Sequence, residues 1–301
     1  MNVNFYTLLY IDKTETRLLS ARNFSDNERI DLFVKNACVL DKSLKNFKLK
    51  GVTVLTNSLY ELESSKKRIG YSDLDIKEID FTLQPPKGIP FYSAHFKIDV
   101  YKYFSTLPND EYSILMDNDI VMLNEMSEVF NNGVNNGIPM VYHIKDYIGS
   151  SGLNDIKRID PSIFAYQWCG GEFIGGCNLF YEELYSDILN FKDKYFAEIK
   201  NGLFHIGDEM LTTIGVEHMR ANGLYCYDAY MLGAIYRYWG NAEPYPLSDY
   251  SITFLHLPYD KVWLSKVNID EFTSSEYFYS KYRKHRCFNI LKRYIKRMLK
   301  R

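Results

Sequence analysis

The chain has 301 residues, 46% of them hydrophobic, which is enough to bury a core in one large or two modest domains. It carries 36 Lys and Arg against 38 Asp and Glu, but residues 281–301 alone hold ten bases and no acid. The remainder therefore has 26 bases against 38 acids, which argues against nucleic-acid binding by the body and for a separate partner of the tail.

The composition also bears on the membrane and on the redox compartment. No apolar run is long enough to span a bilayer, and the N-terminal residues lack the basic region and cleavage site of a signal peptide. The five cysteines show no C-x-x-C spacing, and their odd number favours reduced thiols over a disulfide framework. The sequence therefore predicts a cytoplasmic protein.

Predicted strands alternate with predicted helices in the first half of the chain. The apolar patterns predict strands at 3–11, 51–57, 74–81 and 112–119, and helices at 27–47 and 93–107. This alternation is typical of an α/β fold with a mainly parallel, Rossmann-like sheet flanked by helices. In such sheets, ligands bind at the carboxyl ends of the strands.

The second half is less regular. A strand is predicted at 140–144 and helices at 181–199 and 206–219, whereas 131–137 is predicted to be a loop. The segment QWCGGEFIGGCNLF (167–180) contains two Gly-Gly pairs, which indicate that another group approaches the backbone closely there.

Two aspartates one residue apart interrupt the apolar segment ILMDNDIVML (114–123). In an extended chain Asp117 and Asp119 point to one side and Asn118 to the other, so the two carboxylates repel each other unless they share a cation. Hard oxygen ligands suit Mg²⁺ or Mn²⁺. The pattern predicts a metal site at the end of a strand, although two exposed acids in a loop would give the same sequence.

Two metal-using families fit this pair poorly. An EF-hand loop needs an oxygen ligand and a glycine where Val121 and Met122 stand. A phosphatase of the haloacid-dehalogenase type has D-x-D-x-T/V after an apolar strand, as in DNDIV, but that family uses its first strand. Its later acidic motif would also require an acid at Thr212, four residues after Asp208.

The segment YSILMDNDIVML resembles the D-x-D strand end of nucleotide-sugar glycosyltransferases with the GT-A fold, and most closely that of glycosyltransferase family 8. The resemblance implies that Asp117 and Asp119 hold Mn²⁺ or Mg²⁺, which binds the diphosphate of the donor. It also implies that Asn118 lies beside the donor, a UDP-sugar.

The late segment FLHLPYDKVW resembles the H-x-x-G-x-x-K-P-W segment of that family. The resemblance implies that His256 is the third metal ligand and that Lys261 contacts the diphosphate. This sequence departs from the pattern, since Lys261 follows His256 by five residues rather than six. Val262 replaces the proline, and the internal glycine is absent.

The segment FIGGCNLF resembles the F-N-A-G-V segment that lies under the donor sugar and the acceptor. The resemblance implies that Gly175 and Gly176 contact the donor, and that the flanking Trp168 and Asn178 contact the acceptor. Ile174 stands where the family has Asn.

Three further segments complete the implied site. GDEMLTT resembles the D-Q-x-x-L segment and makes Asp208 and Glu209 the candidate catalytic residues, although acids at a helix start also complement the helix dipole. HFKIDVYKYF resembles the helix that directs a basic residue, here Lys97, towards the donor. The end of the first strand places Tyr10 and Asp12 as nucleotide contacts.

The resemblance implies a metal-dependent hexosyltransferase that acts from a nucleotide-diphosphate sugar on a cell-surface glycan or lipid-linked acceptor. Family 8 retains the anomeric configuration, but Asp208 or Glu209 would also suit an inverting base. Two alternatives remain open, namely a phosphatase with Asp117 as nucleophile and an inactive nucleotide-sugar-binding protein. Residues 1–264 are predicted to form the GT-A domain and 265–301 a separate C-terminal segment.

The basic tail has its own pattern. Its apolar residues recur as one helical stripe, at Ile290, Leu291, Tyr294, Ile295, Met298 and Leu299. A basic amphipathic helix of this kind binds an anionic membrane surface, which predicts a peripheral protein at the inner face of the plasma membrane. A helix docked on the acidic body, or a disordered tail, is the alternative.

Overall fold

The computed structural model describes residues 1–12, 24–144, 149–163, 165–240 and 251–298. Within these ranges ten strands occur: β1 (Asn2–Leu9), β2 (Val52–Thr56), β3 (Asp75–Glu78), β4 (Glu111–Met116), β5 (Ile120–Met122), β6 (Met140–His143), β7 (Cys169–Gly176), β8 (Tyr227–Asp228), β9 (Ile235–Arg237) and β10 (Phe254–His256). The helices are α1 (Asp26–Asn46), α2 (Leu59–Ile69), α3 (Lys97–Ser105), α4 (Glu128–Asn135), α5 (Gly149–Ile159), α6 (Asn178–Ile199), α7 (Asp208–Ala221), α8 (Lys261–Leu264) and α9 (Ser275–Met298), with a 3₁₀ helix at Tyr92–Phe96.

The main sheet has the strand order β3-β2-β1-β4-β7-β6-β8. The pairs from β3 to β4 are parallel, whereas β7 runs antiparallel to both β4 and β6. Thr7 pairs with Met116, and Met116 pairs with Phe173. The carboxyl ends of β1 and β4 therefore meet the beginning of β7 at one edge of the sheet. The mainly parallel α/β fold predicted from the sequence is confirmed.

A smaller sheet of order β5-β10-β9 adjoins this edge. In its register His256 lies opposite Ile120 on β5 and opposite Arg237 on β9. Because Ile120 directly follows Asp119, this pairing brings the end of β10 to the aspartate pair.

Helices cover both faces of the main sheet, so its central strands are buried on both sides. Neighbouring residues of β1 and β4 pack into different cores: Phe5 and Ile114 with Val34 of α1, and Tyr6 and Leu115 with the side of α3 and α6. This explains why these strands read as continuous apolar runs rather than as alternating patterns.

The prediction of a loop at 131–137 is wrong, because α4 covers most of it. The Ser127 hydroxyl accepts a hydrogen bond from the Phe130 amide and caps the helix. Phe130 and Val134, four residues apart, are buried on its inner side. Gly133 gives room for Met140 and Tyr227, which a side chain at that position would meet.

The C-terminal helix α9 begins within the body of the protein. Phe278 and Tyr282 are buried and pack against Trp263. Asp260 accepts hydrogen bonds from the Tyr282 hydroxyl (2.6 Å) and from His285 (3.0 Å). The first half of α9 is thus docked, whereas its later apolar side chains, from Phe288 onward, are exposed. None of the helices in the described ranges combines the length and apolar character needed to cross a membrane.

Candidate active site

Three side chains converge where β4, β5 and β10 meet. Asp117 follows β4, Asp119 precedes β5, and His256 ends β10. Nε2 of His256 lies 3.2 Å from Oδ2 of Asp119 and 3.8 Å from Oδ2 of Asp117. One ligand atom from each residue lies within 4.8 Å of the others, a spacing that suits a single bound cation.

The chemistry of this set fits a divalent ion. Oδ1 of Asp119 is buried and accepts no hydrogen bond from the described part of the chain, so it keeps a free lone pair for a cation. Two carboxylates and an imidazole are ligands that Mn²⁺ accepts.

The net charge of the site also fits a divalent ion. Five acids face one another here, namely Asp117, Asp119, Glu172, Asp208 and Glu209. Among the described residues three permanent bases pair with them: Lys97, Arg237 and Lys261. When an ion displaces the proton of His256, the carboxylates exceed the permanent bases by two negative charges, which one divalent ion would balance.

Two lysines flank the metal candidates. Nζ of Lys97, at the start of α3, lies 2.8 Å from Oδ1 of Asp117, 2.6 Å from the Gly171 carbonyl and 3.1 Å from Oδ2 of Asp208. Nζ of Lys261 lies 3.1 Å from Oδ2 of Asp119. Burial alone would lower the pKa of both amines, but the carboxylates raise it, so both lysines stay charged.

His256 and the acids beside it shift one another's pKa values. Burial alone would lower the pKa of His256, but Asp119 and Glu172 raise it to about 9. Burial alone would raise the pKa of Asp119, but Lys261 and His256 hold it well below the usual range. Asp119 and Glu172, whose pKa values are both lowered, therefore stay ionised at neutral pH.

A buried layer of opposite charges lies beneath the metal candidates, and the sequence reasoning missed it. Arg237 donates two hydrogen bonds to the Glu172 carboxylate and a third, of 2.8 Å, to Glu209. Glu172 also lies 3.2 Å from Nδ1 of His256. Each of these residues is the only charged one in an apolar segment, Glu172 in CGGEF and Arg237 in IYRYW. This pattern in the sequence could have indicated a buried ion pair.

The two candidate catalytic acids begin α7, but their surroundings differ. Oδ2 of Asp208 is buried beside Lys97 and next to Gly171, and burial raises its pKa. The Glu209 carboxylate accepts hydrogen bonds from Nε1 of Trp168 (2.9 Å), from the Gly171 amide (3.2 Å) and from Arg237. Glu209 therefore holds the site together, whereas Asp208 has the less satisfied carboxylate.

The structure does not bring the second Gly-Gly pair to this site. Gly175 and Gly176 pair with Ile114 and Ser113, several residues before the aspartates, and a side chain on either would meet a packed aromatic ring. Asn178 donates to Oδ1 of Asn109, before the start of β4. Of the first pair, Gly171 lies beside Lys97 and Asp208, and Gly170 lies beside Glu172 and Tyr142. Contacts of Gly175, Gly176 and Asn178 with donor or acceptor remain untested predictions.

Tyr10 lies at the carboxyl edge of the sheet, as predicted. Its ring stacks on Phe96, the residue before Lys97, at a centroid distance of 3.7 Å. Asp12 follows two residues later and is half-buried, and Asn118 is buried in the turn between the aspartates. Their roles in nucleotide binding stay predictions.

A hydrogen-bond chain joins the segment before Lys97 to the start of α7. The Phe91 carbonyl can only accept, so Nδ1 of His95 donates to it (2.9 Å) and Nε2 accepts from the Tyr195 hydroxyl (2.9 Å). That hydroxyl in turn accepts from the Gly207 amide (2.9 Å). Because Gly207 directly precedes Asp208, this chain fixes the position of Asp208 relative to Lys97.

The fold is that of known glycosyltransferases. The structure resembles the galactosyltransferase LgtC in complex with donor and acceptor sugar analogs, with a TM-score of 0.51 and 8% identity over 87% of this chain and 95% of that one. It also resembles the apo form of mouse xyloside xylosyltransferase 1, with a TM-score of 0.51 and 9% identity over 85% and 98% of the two chains. No family model matches the sequence, and neither does any curated protein. The chain has the GT-A fold.

Proposed function

We propose that this protein is a metal-dependent glycosyltransferase that moves a hexose from a nucleotide-diphosphate sugar, a UDP-sugar, to a cell-surface glycan or lipid-linked acceptor. The observation that carries the proposal is the convergence of Asp117, Asp119 and His256 at the carboxyl edge of a GT-A sheet. The resemblance of their segments to family 8 supports retention of the anomeric configuration. Neither the phosphatase nor the inactive binding protein is favoured.

Asp117, Asp119 and His256 would hold Mn²⁺ or Mg²⁺, which when bound stabilises the negative charge of the departing diphosphate. Lys97 and Lys261 lie beside these ligands and remain charged. In the donor complex they add positive charge where the leaving group develops negative charge.

We assign Asp208 as the acid that acts on the reacting sugar. Its carboxylate is buried next to Gly171 and has Lys97 as its close partner. An acid at this position orients sugar hydroxyls or stabilises positive charge at the anomeric carbon. Glu209 acts as a positioning residue, since Trp168, Gly171 and Arg237 all bind its carboxylate.

The test is the release of nucleotide diphosphate from a panel of nucleotide sugars, with Mn²⁺ and with EDTA. The proposal expects Mn²⁺-dependent hydrolysis of at least one donor, lost in Asp117→Asn and kept in the surface control Asp193→Asn, whose side chain is 87% exposed. A phosphorylated Asp117 after incubation with a phosphate ester would support the phosphatase. Donor binding without turnover would support the inactive binding protein.

We further propose that α9 docks the enzyme on the cytoplasmic face of an anionic membrane. Its exposed apolar residues after 287 and its bases support this, since a basic amphipathic helix binds such surfaces. Truncation at 281 would remove the buried Tyr282, so substitution is the better test. Leu291→Ser with Ile295→Ser is expected to reduce sedimentation with phosphatidylglycerol vesicles, and Leu59→Ser with Tyr60→Ser on α2 is the matched control. Equal sedimentation of both variants would contradict membrane docking by α9.

A further inference from the structure

A cavity of about 530 Å³ lies between α9 and the ends of β9 and β10. Two of its lining residues connect it to the candidate active site. The guanidinium of Arg237 lies 5.6 Å from the ring centroid of Trp239, which lines the cavity. Asp260, also in its wall, directly precedes Lys261. The cavity wall is therefore linked to Arg237 and Lys261, although no candidate metal ligand is among its lining residues.

The walls of the cavity carry an excess of positive charge. Arg286, Lys292 and Arg293 line it from α9. Lys292 and Arg293 make no hydrogen bond or salt bridge with any other described residue. The one acid of the wall, Asp260, accepts hydrogen bonds from the Tyr282 hydroxyl and from His285, and the charge of Arg293 also helps to lower its pKa.

The guanidinium of Arg286 is held in place. It donates to the Gly240 carbonyl (2.8 Å) and lies 4.9 Å from the ring centroid of Tyr238. A fixed guanidinium beside two accessible cations is suited to the oxygens of a phosphate group.

Aromatic rings form the other wall. The rings of Trp239 and Tyr259 lie with their centroids 5.1 Å apart, and Tyr259 is 72% exposed. The exposed ring of Tyr259 and the half-buried ring of Trp239 offer apolar area for the faces of a sugar ring, while nearby polar groups fix its orientation. The cavity thus combines an apolar platform with a cationic end.

We propose that this cavity binds the acceptor, and that the acceptor is a phosphorylated sugar rather than a neutral one. Its phosphate is held by Arg286, Lys292 and Arg293, and its ring packs on Trp239 and Tyr259. This inference rests on the proposed glycosyltransferase function and deepens it by naming the acceptor class. On α9, Arg286 and Arg293 lie on the side opposite the exposed apolar residues 291 and 295, and Lys292 lies between these two sides.

The first experiment measures binding by ligand-observed NMR titration in EDTA, with glucose 1-phosphate and methyl glucoside as probes. The proposal expects glucose 1-phosphate to bind roughly tenfold more tightly than the glucoside, and Lys292→Ala with Arg293→Ala to abolish that difference. Arg283→Ala with Lys284→Ala, on the same helix but outside the cavity, should keep it. Equal binding of both probes, or equal loss in both double variants, would overturn the proposal.

The second experiment separates this inference from the proposed function and from lipid binding. Mn²⁺-dependent donor hydrolysis should be unchanged in Lys292→Ala with Arg293→Ala, because neither residue belongs to the candidate metal site. Absence of hydrolysis in every variant would overturn the glycosyltransferase function itself. If the double variant lost binding to phosphatidylglycerol vesicles but bound glucose 1-phosphate normally, the cations would serve a phospholipid headgroup and the acceptor proposal would be wrong.

Discussion

Nε2 of His256 lies 3.2 Å from Oδ2 of Asp119, although the two residues are 137 positions apart in the sequence. The pairing of β10 with β5 fixes this distance, because His256 lies opposite Ile120 in that register. The Leu257 amide also donates to the Asp119 carbonyl (3.0 Å). A site built on paired strands is held in place before any ligand binds.

The two aspartates are expected to differ in what their loss does to stability. Asp117→Asn and Asp119→Asn should each lower Mn²⁺-dependent turnover about 100-fold or more, because each removes a charged ligand. The Asp117 side chain is 29% exposed, and Lys97 keeps Asp208 as a partner, so Asp117→Asn should change the free energy of unfolding by less than about 1 kcal/mol. Asp119→Asn removes the fully buried carboxylate that pairs with the half-buried Lys261 and should lower that free energy by about 3 kcal/mol.

Urea unfolding of both variants in EDTA checks this difference. A stable Asp119→Asn protein, with a midpoint equal to that of Asp117→Asn, would show that the pair with Lys261 contributes nothing. Full turnover in both variants would remove the metal-site assignment.

The buried layer beneath the site should dominate local stability. Arg237→Ala leaves Glu172 and Glu209 without their cation and should lower the free energy of unfolding by about 3–5 kcal/mol. Arg68→Ala breaks the more exposed pair with Asp31 and should cost less than about 1 kcal/mol. Chemical denaturation compares the two variants, and similar losses for both would contradict the structural role of Arg237.

Substitutions of Asp208 and of Glu209 should have different effects, the first on kcat and the second on thermal stability. Asp208→Asn should lower kcat about 100-fold with little change in the donor KM, because we propose that its carboxylate acts on the reacting sugar. Glu209→Gln should instead lower the melting temperature, since it weakens bonds from Trp168, Gly171 and Arg237. Steady-state kinetics and thermal melts on both proteins check this split. A higher donor KM with unchanged kcat in Asp208→Asn would reject its assignment.

Stability should fall on mild acidification because of a buried histidine. Burial lowers the pKa of His95 to about 4, whereas an unfolded chain binds the proton near pH 6.5. Between these values the unfolded state binds more protons, so unfolding becomes easier as pH falls from 6.5 to 4, by about 3 kcal/mol at the full shift. His143 has the same direction of shift and should add to the effect.

In His95→Gln, the free energy of unfolding should differ less between pH 7 and pH 4.5 than in the wild type. Urea unfolding at the two pH values measures this difference. An NMR titration of the wild-type imidazole provides a check that does not depend on the variant folding. A His95 ring that titrates at pH 6.5 in the native protein would contradict the prediction.

Local sequence patterns were sufficient to predict those parts of the fold that depend on residues close together in the chain. The apolar lead-in to Asp117 identified β4, and the parallel sheet then placed the aspartates at its carboxyl edge. The Asn- and Gly-rich composition of 131–137 was misleading, because the buried spacing of Phe130 and Val134 outweighs the weak helix propensity of those residues.

The missed parts depend on long-range pairing. Glu172 and Arg237 are 65 residues apart, and only the position of β9 beside β10 brings Arg237 to β7. The resemblance predicted donor contacts for Gly175 and Gly176. Because β7 runs antiparallel to β4, it is Gly170 and Gly171 that lie at the site. Strand direction at this position was not visible in the local sequence.

The most direct measurement is anomalous diffraction at the manganese edge from crystals grown with Mn²⁺ and UDP. We predict one ion within about 2.5 Å of the Asp117 and Asp119 carboxylates and of Nε2 of His256. We also predict that the diphosphate of UDP contacts the same ion and lies beside Lys97 and Lys261. An ion bound elsewhere, or UDP bound away from these residues, would contradict these predictions.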